Sequence, residues 1–162
     1  MIKNNASLSN DRIDLQRACI EHRATWFALM IEEAKKQGLG AEFAHNAILR
    51  CGKFHGEVKF PKTESLTEFA AAFADTDTKN TFEMEILEST EEKLSIDFHY
   101  CPLLNAWKKL GLPDEAMPEL CDIAMDGDRG IISTYPGWKF ELGNTIANGD
   151  DVCQIRITNT NV

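Results

Sequence analysis

The apolar pattern of this chain changes period at residues 75–80, and that change constrains the fold more than any other feature. Up to residue 74 the apolar residues recur at helical spacing, and after residue 80 two alternating runs open a second half in which strands and helices mix. Ser9 or Asn10 can cap a long helix from Asp11 to Gln37, with Gly38 as its stop. A second helix is expected from Ala41 to Val58, closed by Pro61. Its apolar stripe is Ala44, Ala47, Ile48, Cys51, Phe54 or His55, and Val58. Ser65 and Glu68 fit a capping box ahead of a short helix carrying Leu66, Phe69, Ala70, Phe73 and Ala74. The polar run Asp75 to Asn80 reads as a loop.

After that loop, Phe82, Met84 and Ile86 alternate with Glu83, Glu85 and Leu87. Leu94, Ile96, Phe98 and Tyr100 alternate with Ser95, Asp97 and His99. The two runs read as an antiparallel hairpin. Pro102 opens another helix and Gly111 stops it, and a further helix covers roughly Pro118 to Thr134. Trp138, Phe140 and Leu142 form a third strand, and Cys153, Ile155 and Ile157 a fourth. The expected class is α+β. N-terminal helices pack against a roughly four-stranded antiparallel sheet, with further helices between the strand pairs. Residues 1–10 read as a flexible leader, and 11–162 as one domain.

The first helix carries two apolar stripes. Leu15, Cys19, His22, Trp26 and Leu29 form one, and Ile20, Ala24, Phe27, Ile31 and Ala34 the other. Such a helix is compatible with cover on two sides, by the core and by a partner subunit, which makes a homodimer an open expectation. The net charge of −9 argues against nucleic-acid binding, which needs basic surface to neutralise phosphates. No run is long and apolar enough for a membrane span, and the first ten residues lack the apolar core of a signal peptide. The five cysteines are odd in number and contain no CxxC pair, so they read as thiols in a reducing, cytoplasmic setting.

Generic nucleotide, hydrolase and metal motifs are absent from the sequence. Reactive side chains concentrate after residue 97. His99 and Cys101 stand two apart where a strand gives way to a helix. If they share a strand face, the thiol has an imidazolium and a helix N-terminus to lower its pKa, as a nucleophile requires. The plain alternative is a buried small residue beside a surface histidine. Cys121 follows the apolar stripe of its helix, while Asp122 and Asp126 share a face one turn apart. Two such carboxylates position a water or a cation, or simply face solvent. Arg129 suits a substrate carboxylate or a neighbouring aspartate equally. Cys153 shares a strand face with Ile155 and Ile157, so core packing competes with a site role. His99, Cys101, Cys121 and Cys153 are ligand types for zinc, but none has close ligand spacing. No metal and no cofactor are expected.

Phe98 to Ile157 also carries linked short motifs. Tyr100-Cys101-Pro102 precedes an amphipathic helix with Trp107, and Leu120-Cys121-Asp122 precedes Gly127-Asp128-Arg129-Gly130 by four residues. An aromatic strand, Thr145-Ile146-Ala147, Gly149-Asp150-Asp151 and Cys153 follow. This order resembles the L-2-amino-thiazoline-4-carboxylic acid hydrolase family, and the first helix, ending in Glu32 to Gly38, is similar to that family's as well. The resemblance implies hydrolytic opening of a thiazoline ring to N-carbamoyl-cysteine, with a small-molecule substrate. In that chemistry Cys101 would attack the amidine-like carbon C2 and His99 would move protons. Asp122 or Asp126 would hold the amidinium or activate water. Arg129 would hold the carboxylate, with Cys121 and Cys153 lining the substrate pocket. A version without a covalent step uses activated water alone. The competing readings are a non-catalytic small-molecule, thiol or metal-sensing domain, and a redox or transferase enzyme acting on a thiol metabolite.

Overall fold

A computed structural model describes all residues from Met1 to Val162. Six helices accompany a four-stranded sheet: α1 Asp11–Lys36, α2 Ala41–Val58, α3 Leu66–Phe73, α4 Thr76–Phe82, β1 Met84–Ser89, β2 Lys93–Phe98, α5 Pro102–Lys109, α6 Met117–Ile132, β3 Trp138–Leu142 and β4 Cys153–Asn159. The sheet order is β1-β2-β4-β3, and every neighbouring pair is antiparallel. This is the α+β arrangement that the change of period predicts. No helix is long and apolar enough to cross a membrane.

Local chemistry sets most element ends. The Asn10 side chain accepts from the amides of Arg12 and Ile13, both at 3.0 Å, and starts α1. Gly38 adopts φ +77° past its end. Ser65 accepts from the amide of Glu68 at 3.2 Å, the first half of the expected capping box. The reciprocal half is not made. The Ser65 amide donates to Thr63 Oγ1 at 3.0 Å, and the Thr63 hydroxyl donates to Glu68 at 2.6 Å. Glu91, in the β1–β2 turn, accepts from the amide of Leu66 at 2.9 Å and ties the hairpin to α3.

Three expectations differ from the structure. The polar run after residue 74 is helix α4, with Asp75 accepting from the amide of Thr78 at 2.8 Å. Its composition gives no helical stripe, because a distant residue supports it. The buried Arg17 guanidinium donates to the carbonyls of Asn80 and Thr81 at the C-terminal end of α4, and pairs with Glu83 at 2.9 Å. Phe82 therefore ends a helix rather than opening β1, and Glu83 turns the chain at φ +51°. Second, residues 1–10 carry no helix or strand but are tied down. Ile2 is buried, Asn4 exchanges two hydrogen bonds with the backbone of Cys101, and Ser7 and Leu8 donate to Glu83. Third, Cys51, Phe54 and Val58 of the expected α2 stripe are exposed. The helix turns Gly52 and Gly56 inward instead.

Those glycines explain how α2 meets α6. A Cβ on Gly52 would lie 2.9 Å from Gly130 Cα, and one on Gly56 would lie 2.9 Å from the carbonyl oxygen of Ile131. The two backbones touch, which only glycine permits. One sheet face, with Leu94, Ile96, Phe98, Ile155 and Ile157, joins the hydrophobic core. The other is polar, and Arg156 pairs with Asp97 across it at 2.7 Å.

Candidate functional site

Three elements each deliver one cysteine to the same region. Cys101 is the residue that begins α5, Cys121 lies in the second turn of α6, and Cys153 opens β4 beside Phe98 of β2. The three are near enough that the charge of one thiolate would raise the others. Their cohesion comes from the core, because all three pack against it. The Cys153 sulfur accepts from the amide of Ile146 at 3.3 Å.

The electrostatics are those of an apolar interior. Burial pushes the Cys153 thiol up to about 12, with a further push from Cys101. Burial also raises Cys121, assisted by the other two cysteines. Cys101 is raised by burial too, although the Leu104 and Leu103 amides at the start of α5 pull the other way. Desolvation thus outweighs the helix N-terminus, and the lowered thiol expected from sequence is not found. Nor does the expected imidazole–thiol pair form. Strand β2 stops at Phe98, so the two-residue alternation does not extend to Cys101. His99 is exposed, and its Nε2 lies 3.1 Å from Glu85 Oε2 at the sheet edge.

Asp122 and Asp126 share a face of α6 as their spacing predicts, and Arg129 binds both. Its guanidinium donates to Asp126 Oδ1 at 2.7 Å, to Asp122 Oδ1 at 2.6 Å and to the Asp122 carbonyl at 2.9 Å. Asp126, nearly buried, also meets His45 Nδ1 at 2.6 Å and so links α6 to α2. Arg129 thus forms the ion pair with neighbouring aspartates that its spacing allows. The residues singled out by sequence therefore fall into three groups. The cysteines converge, the Asp122–Asp126–Arg129 latch lies about a quarter turn round α6 from Cys121, and His99 stands apart at the sheet edge.

Asp128 has the features of a site residue that the sequence reading leaves without a role. It lies seven residues after Cys121, on the same face of α6. Burial raises its carboxyl from 3.8 to about 6, against the pull of Arg23 and Arg129. A carboxyl continuing the apolar stripe of Cys121 and Ala124 was the available signal. No group of three or more His, Cys, Asp or Glu side chains is arranged to hold a metal ion.

Among solved structures, the chain is similar to a trafficking protein particle complex subunit 3 from Naegleria fowleri, described as covalently bound to palmitic acid. The two share 15% sequence identity with a TM-score of 0.55, over 85% of this chain and 93% of the other. At that identity the likeness is one of fold. No curated protein matches the chain. The model of the L-2-amino-thiazoline-4-carboxylic acid hydrolase family matches residues 17–157, which takes in every motif from the first helix to the last strand. That match spans most of the chain, and the chain belongs to the L-2-amino-thiazoline-4-carboxylic acid hydrolase family.

Proposed function

We propose that this protein is a hydrolase that opens the ring of L-2-amino-thiazoline-4-carboxylate, or of a related cyclic C–N/C–S substrate, to a carbamoyl-cysteine-type product. The observation that carries this reading is the convergence of Cys101, Cys121 and Cys153 beside the start of α5, within a chain of this family.

The chemistry follows from a protonated thiol in an apolar place. The substrate's C2 is bonded to ring sulfur, ring nitrogen and an amino group. Cys101 Sγ forms a bond to C2 while the C2–S ring bond breaks, and the thiol proton ends on the departing ring sulfur. The ring nitrogen is basic enough to relay that proton, so no resting thiolate is needed. The amides of Leu103 and Leu104 stabilise charge on Sγ during the transfer. Water then adds to C2 of the isothiourea adduct. The C2–Sγ bond breaks, one water proton returns to Sγ, the other goes to the ring nitrogen, and the product is a ureido acid. Asp128, on the face of α6 that carries Cys121, is the carboxyl poised to take or give a proton near neutrality. Asp122, Asp126 and Arg129 hold α6 in place in this reading, and His99 is outside the reacting groups.

The test is release of a free thiol and a ureido product from L-2-amino-thiazoline-4-carboxylate, beside Cys101→Ala. Turnover lost by at least about a thousandfold in the variant supports the covalent step. Turnover retained in the variant moves the chemistry to activated water. A folded protein with no turnover on this or related thiazolines overturns the reading. A second reading is a non-catalytic module that holds a small molecule at the cysteines. It is favoured by the raised thiols and by the covalently bound acid named for the similar structure. Its signature would be an adduct on one cysteine in the intact mass, with no turnover.

A further inference from the structure

We propose that the face formed by α1 and α2 is where a second copy of this chain docks, making a two-fold dimer with α1 antiparallel to its counterpart. The core claims one side of α1 through Ile13, Arg17, Ala24, Ala28 and Ile31. The opposite side is apolar as well. Leu15, Cys19, His22, Trp26 and Leu29 follow one another at steps of four, three, four and three, the spacing of a helix–helix seam. Leu15 is 66% exposed, and Trp26 and Met30 are each 63% exposed. On α2, Phe43 and Phe54 are exposed on the side that adjoins this seam, and Phe43 and Ala47 line an apolar groove with Trp26 and Met30.

Area and charge select the occupant. Six large apolar side chains at roughly 100 Å² of exposed surface apiece offer on the order of 600 Å². With a polar rim this approaches the roughly 800 Å² that each partner gives to a stable interface. Residues 11–58 contain seven carboxylates and seven lysines or arginines, so this hairpin is neutral while the chain carries −9. All of the excess negative charge lies elsewhere. Two copies meet here with less repulsion than the acidic stretches of the chain would give. A neutral face gains nothing from nucleic acid or an anionic membrane, both of which call for basic excess. The lysines at the end of α1 are already paired within the chain, Lys35 with Glu119 and Lys36 with Glu32 and Glu33, so the orientation follows from the helix itself. An antiparallel pair opposes the two helix dipoles, which favours that sense. A self-complementary patch of this kind is what a two-fold interface requires.

Sedimentation equilibrium of the full chain tests this directly. The wild type is expected at twice the 18.2 kDa chain mass. Trp26→Glu combined with Met30→Glu is expected at half the wild-type mass with an unchanged circular dichroism spectrum. Leu15→Glu alone serves the same purpose if the double variant fails to fold. Leu87→Glu, at an exposed site on β1, should leave the dimer intact. Cys19 should react with maleimide at least tenfold faster in the monomeric variant than in the wild type. A wild type that stays monomeric at submillimolar concentration overturns the proposal, as does a dimer that survives the α1 substitutions. Binding of a monomeric wild type to neutral phosphatidylcholine vesicles would overturn it in favour of a lipid surface.

Discussion

Gly130 of α6 lies against Gly52 of α2 with no room for a side chain at either position. A Cβ on Gly130 would sit 2.8 Å from Gly52 Cα and 2.8 Å from the backbone nitrogen of Lys53. The obstacles are backbone atoms, which cannot rotate away as a flexible side chain would. Within Gly127-Asp128-Arg129-Gly130, the two glycines therefore differ in purpose. Gly130→Ala is expected to cost about 3 kcal/mol, the upper part of the overpacking range. Gly127→Ala meets nothing closer than Ile48 at 3.9 Å and should be neutral or stabilising by up to about 1 kcal/mol through helix propensity. Urea unfolding of both variants separates these outcomes. Equal losses would contradict the packing argument.

Arg129 is a latch before it is a substrate clamp. It satisfies Asp122 and the nearly buried Asp126 together. A lysine cannot bond both carboxylates with its single nitrogen in the same geometry. Arg129→Lys should lower stability by about 1 kcal/mol, and Arg129→Ala by about 2 kcal/mol, since Asp126 keeps only His45. The check is the thermal midpoint set beside substrate affinity. A raised KM at unchanged stability would return Arg129 to the role of carboxylate binder.

Asp128 should make stability depend on pH in a defined direction. Its carboxyl titrates at about 6 in the folded chain against 3.8 for the unperturbed group. The folded state therefore holds the proton more tightly than the unfolded one. The benefit is complete below about pH 4, is lost as pH rises towards about 6, and stays lost above it. Asp128→Asn removes the charge without the volume. It should stabilise the protein by about 1 to 3 kcal/mol at neutral pH and change little near pH 4. Denaturant midpoints at the two pH values decide the matter. If Asp128 also moves a proton in turnover, the same variant gains stability while losing activity.

The three interior thiols should be slow to label. Burial raises Cys101, Cys121 and Cys153, whereas Cys51 is exposed on α2. Maleimide at neutral pH should modify Cys51 at least about tenfold faster than any of the three, as resolved by peptide mass spectrometry. A rapid reaction at Cys101 would mean a thiolate in the resting protein and a base close to it.

The local code determined the order of elements. Asn10, Gly38, Ser65 and Pro102 mark helix ends by chemistry that acts within a few residues. Alternation at Leu94–Phe98 and Ile155–Ile157 marks strands because one face of a sheet must be buried. The family motifs, being contiguous, were legible in the same way. The site was less so. Only the tertiary structure gives α4 its support from Arg17, gives Arg129 two carboxylates to hold, and turns His99 to Glu85. It also set the Cys101 thiol, whose position at a helix start favours ionisation and whose burial opposes it. Spacing reports which groups are adjacent along the chain. Desolvation depends on every atom that the rest of the fold brings around them, so burial decided the outcome.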